Sequence, residues 1–165
     1  MDRELAESLM REALAVAGAG MDAGEAPIGC VLARADGTIV ARGHNEQNRT
    51  GNKIAHAEIV TFFRAAGKVP LGARDLILVS TLEPCVMCTG AAMEAAVATI
   101  VYALRAPADS GTGRVEPPQS PESQMPRIVG DVLAAESRAL FERWLERNRG
   151  SEQAKFVEQL LALTG

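Results

Sequence analysis

The chain has 165 residues, 47% of them hydrophobic, 23% charged and 4% aromatic, with a formal net charge of -4. That length suits one globular domain whose core is built from small and aliphatic side chains. Three cysteines are too few for a disulfide framework and fit a reducing, cytoplasmic setting; no apolar run approaches the roughly 18 residues of a membrane span, and the acidic balance argues against a large nucleic-acid footprint.

Met1-Asp2-Arg3-Glu4 lacks the charged-then-apolar pattern of an export signal. Asp2 instead caps a helix to about Ala23, with Leu5, Leu9, Ala13 and Val16 at helical spacing. Pro27 to Ala33 and Thr38 to Gly43 are short apolar runs around Asp36-Gly37, a hairpin signal. Cys30 falls inside the first strand and reads as a buried, inert thiol. His44-Asn45 follows the second strand, and a polar loop from Glu46 to Lys53 leads on. Ile54 to Ala66 predicts a helix, with Ile54, Ala57, Val60 and Phe63 three apart and Gly67 as its stop. Leu76 to Thr81 predicts a buried strand, Cys85 to Ala95 a helix dense in small residues, and Thr99 to Ala103 the next strand. Strand, helix and strand on short links make a βαβ unit, so these strands should run parallel. Arg105 to Met125 is the one long irregular stretch, rich in Pro, Gly and Ser. Arg127 to Val129 reads as a short last strand. Asp131 caps a helix to about Asn148, with Leu140, Phe141 and Trp144 on its apolar side, and an amphipathic helix follows from Glu152 to Leu163.

The chemistry concentrates in His56-Ala57-Glu58 and Pro84-Cys85-Val86-Met87-Cys88. Cys85 and Cys88 are three apart and share one face of a helix that Pro84 opens. The positive end of that helix favours thiolate, the form that binds metal. With His56 they make a Cys2His set for zinc, three protein ligands that leave a fourth position open. Thiolate and imidazole suit zinc over magnesium or calcium. Glu58, two residues beyond the histidine, is a carboxylate within reach of that position without being a ligand. A lone Cys-x-x-Cys also reads as a redox motif or half a structural metal site. A structural site needs a fourth ligand, and only Cys30 and His44 remain; a redox motif has no use for His56 and Glu58.

His-x-Glu followed by Pro-Cys-x-x-Cys is the signature of zinc deaminases. Together with Pro27-Ile28-Gly29, Gly43-His44-Asn45 and Thr81 to Ala91, it resembles the cytidine-deaminase-like superfamily, in its branch of cytosine, guanine and tRNA-adenosine deaminases. The likeness covers residues 5 to 104 well, weakens over 126 to 147 and is absent from the long loop and the last helix. It implies an α/β fold of three layers, a five-stranded mixed sheet flanked by helices, and often a dimer. It implies zinc on His56, Cys85 and Cys88 with Glu58 as the proton shuttle. It also implies that Asn45 and the Ala57 N–H hold the ring, and that the Glu83 carbonyl receives the amino group.

The expected organisation is a deaminase domain over 1–148, including the loop 105–125, and a C-terminal helix over 149–165. The expected reaction is hydrolytic deamination of a free base or nucleoside, a small amino-heterocycle, by a homodimer without membrane contact. Trp144 and the loop 105–125 are expected to close over the ring as an aromatic lid. Charge motivates the small substrate: arginines alternate with glutamates along Arg138, Glu142, Arg143, Glu146 and Arg147, a solvated face rather than a phosphate footprint. The alternatives are wobble-position adenosine deamination in tRNA, which the Pro84 to Cys88 segment resembles, and a non-catalytic subunit of the same fold, which the intact Glu58 argues against.

Overall fold

The computed structural model describes the whole chain, Met1–Gly165. In chain order the elements are α1 (Arg3–Asp22), β1 (Gly29–Arg34), β2 (Ile39–His44), α2 (Gln47–Thr50), α3 (Ala57–Arg64) and β3 (Leu76–Leu82). Then come α4 (Val86–Glu94), β4 (Thr99–Leu104), β5 (Arg127–Val129), α5 (Ala134–Asn148) and α6 (Glu152–Leu163). Asp2 caps α1 through its side chain, as expected. At the hairpin Gly37 takes φ +89, a conformation open to glycine, and the Arg34 N–H donates to Thr38 O at 2.9 Å.

The five strands lie in the order β2-β1-β3-β4-β5. β1 is antiparallel to both β2 and β3, whereas β3, β4 and β5 run parallel. The sheet is therefore mixed, and the βαβ unit from β3 through α4 to β4 has the parallel strands expected of it. Each face of the sheet carries its own helices. Leu9, Met10 and Ala13 of α1 pack on Val31, Val79 and Val101. On the opposite face Ala57 of α3 and Ala92 of α4 pack on Leu32, Leu78 and Ile100. The result is the three-layer α/β/α architecture. α6 joins a third cluster, in which Val157 and Leu160 meet Phe141, Trp144 and Leu82. No helix is long and apolar enough to cross a membrane.

Two boundaries differ from the sequence reading. α3 begins at Ala57, with His56 as its extended N-cap, and Ile54 and Phe63 are 56% and 78% exposed. The face turned to the sheet is Ala57, Glu58, Val60 and Thr61 instead. An apolar repeat of three drifts around a helix of 3.6 residues per turn, so Ile54 and Phe63 could not both share the buried stripe. α5 begins at Ala134, not at a cap on Asp131. Asp131 has φ +61, and its carboxylate takes the Arg105 guanidinium, the closer contact 2.7 Å.

Candidate active site

His56 and Cys85 are the N-caps of α3 and α4, each with extended backbone and neither using its side chain to cap. The capping geometry frees both side chains, and the two helix N-termini converge on the same spot. Cys88 follows one turn into α4, fully buried. Its Sγ and that of Cys85 each lie 3.6 Å from His56 Nδ1. All three donor atoms fall within 4.8 Å of one another. Tetrahedral zinc with Zn–S of about 2.3 Å and Zn–N of about 2.05 Å would set sulfur and nitrogen about 3.6 Å apart. The donors thus fit zinc in kind and spacing, with a fourth coordination position left over.

The thiols are already polarised. Cys85 is pulled down to about 4, first by its hydrogen bond with Cys88 and then, against burial, by His56. Cys88 is pushed up, first by Cys85 and then by burial and the nearby Glu58. His56 is raised, chiefly by its bond to Cys85. One thiolate therefore stands ready before any metal arrives.

Glu58 is 3% exposed. Its Oε1 accepts from the Ser80 hydroxyl at 2.7 Å, and its Oε2 faces Cys88 Sγ at 3.3 Å. The carboxylate is thus pinned at one oxygen and presented to the metal cluster with the other. Ser80 went unnoticed in the sequence, although a hydroxyl within the apolar run of β3 was a signal.

A cavity of about 810 Å3 opens over these groups, with His56, Glu58 and Cys85 in its wall. Asn45, Glu83 and Trp144 line it too, while Cys88 and Ala57 lie behind the wall, each fully buried. The Ala57 N–H donates to no backbone acceptor, as befits the first residue of a helix. Asn45 is 1% exposed, and its Nδ2 donates to Glu25 Oε2 at 3.4 Å. Glu25, equally buried, also accepts the Asn48 and Arg49 N–H groups at 3.0 and 2.7 Å. One carboxylate thereby orients Asn45 and satisfies the start of α2, a role no motif announced.

The Glu83 side chain has a structural task. It accepts from the Ala106 N–H at 2.9 Å and from the hydroxyls of Ser110 and Thr112. Its carbonyl accepts no backbone N–H. Gly111 N–H donates to Pro84 O at 2.9 Å, and a Cβ on Gly111 would stand 2.3 Å from Cys85 carbonyl atoms. These bonds fasten the first turn of the long loop against the metal segment and bring Asp109 to the cavity wall. The Asp109 carboxyl is raised, by burial first and by the charge of Cys85 second.

Trp144 is not a lid. It is 3% exposed and packs with Phe141, Leu82 and Val157, so it forms a fixed wall of the cavity. Among residues 105–125 only Asp109 reaches the cavity, whose outer rim is made by α2 and by the corner between α5 and α6. His44 ends β2 with Nδ1 on Asn45 O at 2.7 Å, outside the metal set. Cys30 is fully buried and its thiol is pushed up by burial, in keeping with an inert core residue.

Known proteins with this sequence pattern include a Streptococcus pyogenes tRNA-specific adenosine deaminase, 39% identical over 56% of this chain and 58% of its own. The Arabidopsis thaliana chloroplast tRNA(adenine(34)) deaminase is 42% identical over 61% of this chain and 8% of its own. A Deinococcus radiodurans tRNA(Ile)-lysidine synthase is 39% identical over 79% of this chain and 23% of its own. The chain thus spans less than two-thirds of each of these relatives. Among solved structures, one from a study of A-to-I editing by tRNA A34 deaminases has TM-score 0.68 at 27% identity, over 81% of this chain and 98% of that one. A Nitrosomonas europaea guanine deaminase, at 24% identity and TM-score 0.66 over 84% and 83% of the two chains, shares the fold. These relatives overturn the expected free-base or nucleoside substrate and the small-molecule partner, because the nearer likeness is to enzymes named for tRNA. Net charge does not decide the substrate, because it averages over the surface, whereas phosphate contacts depend on local placement. The description "cytidine and deoxycytidylate deaminase zinc-binding region" matches residues 3–104, and the chain belongs to that family.

Proposed function

We propose that the protein hydrolyses adenosine to inosine in tRNA, at the wobble position of the anticodon. The observation that carries this reading is the 39–42% identity to tRNA adenosine deaminases over 94 and 102 residues. In the reaction water adds to C6 of adenine, the C6–N bond breaks and ammonia leaves.

His56, Cys85 and Cys88 hold the zinc, which when bound supplies a Lewis acid that makes water nucleophilic near neutral pH. Glu58 takes one proton from the water and passes it to ring N1; it then takes the second proton from the new C6 hydroxyl and gives it to the amine as the C6–N bond breaks. One carboxylate serves both relays because Ser80 fixes it at Oε1 while Oε2 faces the cluster. Asn45, oriented by Glu25, hydrogen-bonds the ring edge. The unpaired Ala57 N–H and Glu83 carbonyl are a free donor and acceptor for the base and its amino group. Trp144 gives the cavity an apolar wall that excludes water. Three cysteines with no disulfide among them suit a cytoplasmic setting. Exposed Phe63 of α3 and Val86 of α4 suit a homodimer.

The test is inosine formation by the zinc-loaded full chain on tRNA carrying adenosine at the wobble position, read by sequencing. Inosine at that position is expected. Glu58→Ala should retain zinc and lose about 10²–10⁴-fold in rate. A zinc-loaded wild type that forms no inosine would exclude the tRNA reading, and full turnover by the variant would exclude the role of Glu58.

A further inference from the structure

The cavity is larger than one base requires. Its volume of about 810 Å3 lies toward the top of the roughly 300–1,000 Å3 usual for small-ligand pockets. The inner part, bounded by His56, Glu58, Asn45 and Cys85, holds the chemistry. The outer part is walled by α2 and by the α5–α6 corner, which lies beyond the matched residues 3–104.

That corner is rigidly set. Gly150, at φ +87, turns the chain, and Ser151 caps α6 by accepting the Ala154 N–H at 3.2 Å. Val157 and Leu160 bury α6 against Phe141 and Trp144. Arg138 Nη1 ties down the far end through Leu161 O at 3.1 Å and Thr164 Oγ1 at 2.9 Å. Beside that corner Asn48 Nδ2 of α2 donates to Gly24 O at 3.0 Å and to Gln153 Oε1 at 3.3 Å. Those two bonds use both amide hydrogens of Asn48. They leave Asn48 Oδ1 as an acceptor and Gln153 Nε2 as a donor, on two neighbouring amides of the same wall. Phe156, 36% exposed, adds an aromatic ring to that wall.

An adjacent donor and acceptor match the hydrogen-bonding edge of an unpaired base, and an accessible ring offers it a stacking face. We propose that Asn48, Gln153 and Phe156 form a second base subsite, which holds the nucleotide adjoining the deaminated adenosine in an RNA loop. This rests on the tRNA reading above and names the part of the RNA that the chain's own C-terminal helix recognises.

The experiment compares the zinc-loaded full chain with Phe156→Ala, Phe156→Leu and Gln153→Ala on an anticodon stem-loop. The same RNA is also made abasic at the nucleotide 5′ or 3′ of the target. In the wild type one abasic substitution should raise KM about tenfold. Each variant should raise KM about tenfold on the intact RNA, leave kcat in place and lose its sensitivity to that abasic position. Zinc content reports folding; should Phe156→Ala lose its metal, Phe156→Leu, which keeps apolar volume without a ring, carries the comparison. Variants with wild-type KM, or an abasic penalty undiminished in them, would overturn the subsite while the tRNA reading stands. A wild type inactive on every RNA would overturn both.

Discussion

Glu58 owes its orientation to one hydroxyl. Ser80 faces inward from β3, and its 2.7 Å bond to Oε1 holds a carboxylate that is otherwise enclosed. Ser80→Ala should leave zinc occupancy intact and lower kcat about tenfold, the scale of a lost hydrogen bond to a charged group. Unchanged turnover would show that Glu58 is positioned by something else. The metal-free site has a second signature. With Cys85 pulled down to about 4, it is thiolate at pH 6, where an ordinary thiol near 8.5 is protonated. Iodoacetamide at pH 6 should therefore label Cys85 in zinc-stripped protein and spare the buried Cys30 and Cys88, as read by peptide mass spectrometry. The sign is fixed: the label should persist down toward pH 5 and fade only as the pH approaches 4. Labelling that rises only above pH 8 would refute the depressed thiol. At this scale the sequence showed the metal set and Glu58, because their spacing is dictated by the metal. It did not show Ser80, Glu25 or Asp109, since each depends on which strand or loop arrives beside it.

The elements that carry the site were legible where a local rule fixed them. The Asp2 cap, the Asp36-Gly37 turn, the buried run of β3 and the Gly150-Ser151 break all have short-range causes. α3 was misplaced at its start, since His56 there serves as a cap whose side chain is spent elsewhere. The loop after β4 was legible as irregular, but its anchor was not, because the resemblance assigns a role only to the Glu83 carbonyl while its carboxylate holds Ala106, Ser110 and Thr112. Removing that carboxylate strands the Ala106 N–H in a buried setting, at a cost of about 1–3 kcal/mol. Glu83→Ala should thus lower Tm by several degrees and make the 105–113 segment exchange its amide hydrogens faster, with Glu83→Gln milder on both counts. Protection of that segment unchanged in Glu83→Ala would show that the Gly111–Pro84 bond alone secures the turn.

For the whole molecule, charge was the poorest guide. A formal net charge of -4 describes the surface as an average, and many of its charges are spent on one another: Arg3 with Glu7, Arg42 with Glu12, and Glu46 between Arg49 and Arg64. Such pairs leave the pattern of free charge invisible to a count. Apolar exposure is more informative. Phe63 is 78% exposed near the end of α3, and Val86 is 53% exposed at the start of α4, two helices that touch on the same face of the sheet. α4 adds little bulk there, since Gly90 has open space where a Cβ would stand. A large aromatic ring left in water beside a small-residue helix is a surface that a second copy of the chain would cover at a gain. A stable pair would bury about 1,200–2,000 Å² in total. Sedimentation at micromolar concentration should return twice the chain mass for the wild type and the single chain mass for Phe63→Glu, whose paired carboxylates would face each other across the axis. A wild type that sediments as one chain, or a Phe63→Glu protein that stays paired, would place the interface elsewhere or remove it.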